Sequence, residues 1–173
     1  LYARIADHLN PDNVEAILLS ASLLEEMDQY ALATKAYDTV PREHPEFVSA
    51  ELGRAEALKL AGNNDAAIEA LTQLAKTYPD LQIVQRQLGD TLRSLERYGE
   101  ATPAYDRAIA LIGTEMPDDW TLYFSRGVTY ERTDQWDKAE ADFRHALQLS
   151  PGQPQVLNYL GYSLVEKQIN LDE

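Results

Sequence analysis

Residues 127–151 read GVTYERTDQWDKAEADFRHALQLSP: a small residue at Gly127, a polar break at Asp134-Gln135, then Trp136, Ala139, Phe143 and Ala146 at helical spacing, and Pro151 to finish. Residues three and four apart share one face of an α-helix, and a proline beyond the last of them stops it. Stepping along the chain by about 34 residues brings back the same arrangement, and that is the period of a helical-hairpin array. Ala21, Ala55, Gly89, Gly127 and Gly161 form one column of small residues. Ala33, Ala67, Ala101 and Ala139 form a second, and Tyr37, Leu71, Tyr105 and Phe143 a third, which is large. Val40, Leu74, Ala108 and Ala146 form a fourth, while Pro11, Pro45, Pro79 and Pro151 recur as terminators. The step is 34 residues except between Gly89 and Gly127, where it is 38, and Met116 to Asp119 supply the difference.

These columns predict an all-α chain of antiparallel helix pairs stacked side by side. The expected divisions are 14–47, 48–81, 82–119 with its four-residue insert, 120–153, and 154–173 as the first helix of an incomplete repeat. Residues 1–13 are expected to be the last helix of a preceding repeat. Ile17, Ala21 and Leu24, and again Leu157, Leu160, Gly161 and Leu164, mark first helices; Leu71 and Leu74, and Phe143, Ala146 and Leu147, mark second helices. Turns are expected at Asp28-Gln29, Gly62-Asn63, Glu96-Arg97 and Asp134-Gln135. Pro103 falls just inside a second helix and is expected in its first turn, where an N–H has no intrahelical partner. Small residues let the two helices of a hairpin approach closely, and the large column fills the gap to the next hairpin. A lone hairpin cannot bury its apolar stripe, so neighbours must stack.

The chain has 173 residues, 45% of them hydrophobic and 25% charged, a composition that folds. Its 29 acids against 15 bases give a net charge of −14, which argues against a nucleic-acid surface. With no Cys, disulfides, thiolate metal sites and cysteine catalysis are excluded. No apolar run reaches the ~18 residues of a membrane span. The chain starts at Leu1 without a signal-like stretch, and is expected to be an internal piece of a longer protein. Few Lys and no Cys suit a periplasmic protein, but cytoplasmic arrays look similar.

The columns resemble the tetratricopeptide repeat, with its Trp/Leu-Gly-Tyr motif in helix A and Ala, Phe and Pro in helix B. Tyr123, Gly127, Tyr130, Trp136, Ala139, Phe143, Ala146 and Pro151 make 120–153 the closest match. Residues 48–81 depart most, with Glu51 and Arg54 where large apolar residues are usual, and 82–119 has Gly113 in place of the closing proline. The run Asn158 to Leu164, with Asn170 to Glu173, looks like bacterial members.

The resemblance implies a right-handed superhelical solenoid of antiparallel helix pairs, a non-catalytic scaffold for protein–protein interaction with no cofactor, whose first helices line a concave groove. Carried over by register, its slots hold Leu18, Ser22 and Glu25; Leu52, Glu56 and Lys59; Arg86, Asp90 and Arg93; Phe124, Val128 and Glu131; and Asn158, Tyr162 and Val165. Members that clamp the C-terminal carboxylate of heat-shock chaperones use Lys, Asn and Arg at such slots. Here only Arg86, Arg93 and Asn158 survive while Glu56 and Asp90 intrude, so a clamp is not expected. Apolar patches among paired charges suit a peptide or helix with hydrophobic anchors and some basic residues. Alternatively, Leu18, Leu52 and Phe124 merely pack between adjacent first helices.

Residues 14–47 carry seven acids against two bases, whereas 82–115 and 120–153 are each near −1, so a basic partner is drawn to the N-terminal side. His8, His44 and His145 lie in different repeats without metal-ligand spacing, and read as solvated. Glu25, Glu26 and Asp28, and Asp118 and Asp119, lack the pattern of a calcium loop. Tyr37, Tyr105, Tyr130, Phe143 and Trp136 are expected in the core, but Phe124, Tyr159 and Tyr162 fall off the packing columns. A recognition arm of a larger enzyme or secretion machine is the alternative function. Leu157, Leu160 and Leu164, on one face of a helix without its partner, also suggest self-association.

Overall fold

The computed structural model describes residues 13–167, and among these every regular element is helical. The chain divides into two compact units, 1–79 and 80–173. The first contains α1 (Val14–Glu26), α2 (Tyr30–Tyr37), α3 (Phe47–Leu60) and α4 (Asn64–Thr77). The second contains α5 (Gln82–Ser94), α6 (Tyr98–Ala110), α7 (Trp120–Arg132), α8 (Trp136–Leu149) and α9 (Pro154–Lys167). Within each unit, consecutive helices pack on one another. His8, Pro11 and the helix expected over 1–13 lie outside the described residues, except for Asn13, which caps α1 by accepting from the Ala16 N–H at 3.1 Å; residues 168–173 also lie outside them.

One device closes each hairpin. Asp28, Gly62, Glu96 and Asp134 take positive φ, between 57° and 80°. The next residue's N–H then reaches back across the turn, from Gln29 to the Leu24 carbonyl at 2.8 Å and from Arg97 to that of Leu92 at 2.9 Å. Asn63 and Gln135 do the same to Leu58 and Tyr130. This left-handed cap satisfies carbonyls that the ending helix leaves open. All four turns fall where the polar pairs were read.

Ala33, Ala67, Ala101 and Ala139 are each the fourth residue of a second helix, and each is 0% exposed. At that crossing each methyl is fully enclosed. Tyr105 lies against Gly89 and Phe143 against Gly127, so close that an added Cβ would stand 2.9 Å and 2.6 Å from the rings. The small and large columns therefore meet face to face within the hairpins α5–α6 and α7–α8. Gly161 differs, being exposed with nothing among the described residues within 4 Å of the position its Cβ would take.

Pro103 departs from expectation. It is the sixth residue of α6, in the second turn and not the first. There it removes an N–H from the regular ladder, and the ring is exposed, so the defect faces water. The insert ends in a single 3₁₀ turn, Pro117–Asp119, pinned where the Met116 N–H donates to Asp119 Oδ2 at 2.8 Å. Just ahead of it, Glu115 accepts a hydrogen bond from the Tyr123 hydroxyl and meets His145 Nε2 at 3.1 Å. His145 is half-buried, edge-on to Tyr123 at 4.3 Å, and so is more than the solvated histidine its sequence suggested.

Candidate functional site

In the first unit, Leu18, Ser22 and Glu25 follow one another on α1, and Leu52, Glu56 and Lys59 on α3; all six are half-buried. Leu18 packs against the unit's core, and the Ser22 hydroxyl bonds the Leu19 carbonyl at 3.1 Å. Glu56 pairs with Lys59 at 2.8 Å. Glu25 shares a hydrogen bond with the Tyr37 hydroxyl, and its Oε1 is buried without a hydrogen-bond partner. Burial raises its pKa above the usual 4.5, the Tyr37 bond opposing and the Glu56 charge adding. Tyr37 is pushed up to about 12, by burial first and then by the charge of Glu25.

In the second unit, Asp90 sits between Arg86 at 3.6 Å and Arg93 at 3.7 Å. Both Asp90 and Arg93 also hold the core tyrosine of the hairpin. The Tyr105 hydroxyl donates to Asp90 Oδ1 at 2.8 Å, and Arg93 Nε donates to that hydroxyl at 3.0 Å. Burial drives the Tyr105 pKa up, with Asp90 adding and Arg93 opposing. Residues read as groove slots thus brace the fold from its polar side.

Phe124 belongs to an aromatic cluster, with ring centroids 5.8 Å from Tyr159, 5.9 Å from Phe143 and 6.0 Å from Trp120. Val128 is 7% exposed and serves the core. Of the three leucines read as an adhesive face, Leu160 is buried and Leu164 packs against the same cluster, leaving only Leu157 exposed.

What stays open is a cleft of about 470 Å³, lined by Glu131, Arg132, Gln155, Asn158, Tyr159, Tyr162 and Ser163. It brings together three groove slots from the sequence: Glu131, Asn158 and Tyr162. Tyr162 is 73% exposed and Asn158 is also exposed. Glu131 anchors the cleft's charge, accepting from the Tyr159 hydroxyl at 3.3 Å and meeting Arg132 at 3.5 Å. Gln155, Arg132, Tyr159 and Ser163 were not picked out as groove residues. The spacing 155, 158, 159, 162 is one helical stripe, and its polar and aromatic content was the available signal.

Comparison with known proteins agrees with this architecture. A tetratricopeptide-repeat family model matches residues 18–81 and 86–154, and the chain belongs to that family. Human tetratricopeptide repeat protein 13 is 27% identical over 161 residues, 90% of this chain and 18% of that protein. TPR repeat-containing protein PA4667 of Pseudomonas aeruginosa is 25% identical over 146 residues, 84% of this chain and 24% of that protein. The chain therefore spans less than a quarter of these relatives. Among solved structures, MamA from Desulfovibrio magneticus RS-1 has a TM-score of 0.76 at 18% identity, covering 91% of this chain and 86% of that one. PilF of Pseudomonas aeruginosa has a TM-score of 0.74 at 17% identity, covering 90% and 69%. The tetratricopeptide fold is in general a protein–protein interaction scaffold, and its family is typically non-catalytic.

Proposed function

We propose that the chain is a non-catalytic scaffold that takes a peptide or helix of a partner protein on its first helices, with the α7–α9 cleft as an anchoring point. The observation that carries this reading is Tyr162, a large ring left 73% exposed on an ordered helix beside the carboxamides of Asn158 and Gln155. Exposed aromatic rings supply contact area at little entropic cost, and carboxamides bond a partner's backbone in either direction.

The test begins with capture of partners from native lysate, followed by mapping of the bound segment on peptide arrays. Fluorescence anisotropy of that segment then compares wild type with Tyr162→Ala and Asn158→Ala. Loss of a central ring costs about 2 kcal/mol, a weakening on the order of thirtyfold. Unchanged affinity in both variants would remove the cleft from the proposal. A second reading, that the chain is the recognition arm of a larger enzyme or assembly machine, draws support from the length of the relatives, of which it matches 18% and 24%. The complete reading frame, searched for a fused catalytic or targeting segment, decides between the two.

A further inference from the structure

The hairpin α3–α4 is underfilled compared with α7–α8, to which it corresponds at an offset of 72 residues, as Ala67 and Ala139 show. In α7–α8, Tyr123 and His145 meet edge to face over Glu115. Arg126 forks onto Asp142 at 2.7 and 2.8 Å and reaches Asp106 at 2.8 Å. The corresponding residues in α3–α4 are Glu51 for Tyr123, Gln73 for His145, Arg54 for Arg126 and Ala70 for Asp142. An acid and an amide stand where two rings were, and a methyl where a carboxylate was. Without an acid across the hairpin, Arg54 turns along its own helix and forks onto Glu51 at 2.7 and 2.8 Å.

A crevice of about 560 Å³ remains, with Leu58, Leu74 and Tyr78 among its apolar lining and Ala70 beside them. Its lining shares no residue with the groove slots Leu52, Glu56 and Lys59. Since Arg54 and Glu51 neutralise each other, the charges left to meet a guest are Arg42, from the loop before α3, and Glu69 on α4. At the same offset Glu115 corresponds to Glu43, so both loops keep an acid there; what differs is that Arg42, next to Glu43, lines the open space, where α7–α8 has Thr114 and no base. A guest that completes α3–α4 needs a ring for the gap and an acid for Arg42.

We propose that this crevice is a second binding site, on a different face of α3 from the groove slots, for a partner segment carrying an aromatic residue next to an acidic one. Apolar walls reward the ring, and the guanidinium of Arg42 selects the sign of its neighbour. Glu69 repels a second acid, so one acidic residue is preferred to two.

The test is a ¹⁵N-HSQC titration of the whole chain with three capped peptides, acetyl-Gly-Glu-Trp-Gly-amide and its Lys-Trp and Glu-Ala counterparts. The Glu-Trp peptide is expected to shift the amides of Leu58, Ala70 and Leu74, the Lys-Trp peptide to bind at least fivefold more weakly, and the Glu-Ala peptide to leave them unmoved. The triple variant Glu51→Tyr, Ala70→Asp, Gln73→His copies the filling of α7–α8 and is expected to melt no lower than wild type while losing these shifts. Arg42→Glu, at an exposed loop position, is expected to reverse the preference toward Lys-Trp whether or not the filled variant folds. Shifts that persist in a folded filled variant, no response to Glu-Trp, or an unchanged preference in Arg42→Glu would each overturn the proposal.

Discussion

A methyl group added at Gly127 and the same methyl added at Gly161 should act in opposite directions, although the two glycines share a column. At Gly127 the new Cβ would stand 2.6 Å from the Phe143 ring. Displacing that ring costs about 1–3 kcal/mol, more than the ~1 kcal/mol an alanine gains as a helix former, so Gly127→Ala is expected to destabilise. At Gly161 nothing among the described residues lies within 4 Å, and Gly161→Ala should stabilise by up to about 1 kcal/mol. Urea denaturation of both variants checks the pair of signs. Glu25 makes a prediction in pH. Its folded pKa lies above the usual 4.5, so its contribution is fully present below that value and is lost as pH rises through the folded pKa. Relative to wild type, Glu25→Gln should therefore gain stability as pH is raised from about 4 to about 7. Parallel denaturation curves across that range measure the difference, and a constant offset would contradict it.

At the scale of helices and hairpins, Pro103 and Asp142 mark a weak point and a strong one. Pro103 breaks the ladder of α6 in its second turn while its ring stays exposed. Pro103→Ala is expected to raise stability by about 1–3 kcal/mol, read as a higher urea midpoint. Asp142 is buried and holds Arg126, so Asp142→Ala should cost about 1–3 kcal/mol by leaving a half-buried guanidinium with only the exposed Asp106 to pair with. Adding Arg126→Met should recover part of that loss in a double-mutant cycle. The hairpins themselves were legible because their signals are periodic and local: Ala33 and its counterparts, the left-handed turns at Asp28, Gly62, Glu96 and Asp134, and the rings of Tyr105 and Phe143 over glycine. The candidate surface was legible only in part. Register tells which face carries a Cα, but Asp90 and Arg93 have the reach to turn back onto Tyr105, and Phe124 finds Tyr159 on the next first helix. The α3–α4 crevice had one forerunner in the sequence, Glu51 and Arg54 at places where large apolar residues are usual. Its volume depended on Ala70 and Gln73, which no single-column reading connects with them.

For the molecule as a whole, charge is the property that acts at a distance. A net charge of −14, with seven acids against two bases in residues 14–47, sets up a field that attracts basic chains before contact. Stopped-flow association of a basic partner peptide should slow several-fold as ionic strength rises from about 0.02 M to about 0.5 M, where the Debye length falls below about 5 Å. An on-rate indifferent to salt would mean that this field does not guide encounter. Optical behaviour follows from something simpler, the placement of two indoles. The chain's two tryptophans, Trp120 and Trp136, open α7 and α8, so emission excited selectively from tryptophan reports on residues 80–173 and is blind to residues 1–79, whose rings are tyrosine and phenylalanine. A thermal scan followed by tryptophan emission and one followed by far-ultraviolet circular dichroism will superimpose only if both halves lose their structure together, and any gap between the curves times one half against the other without a label.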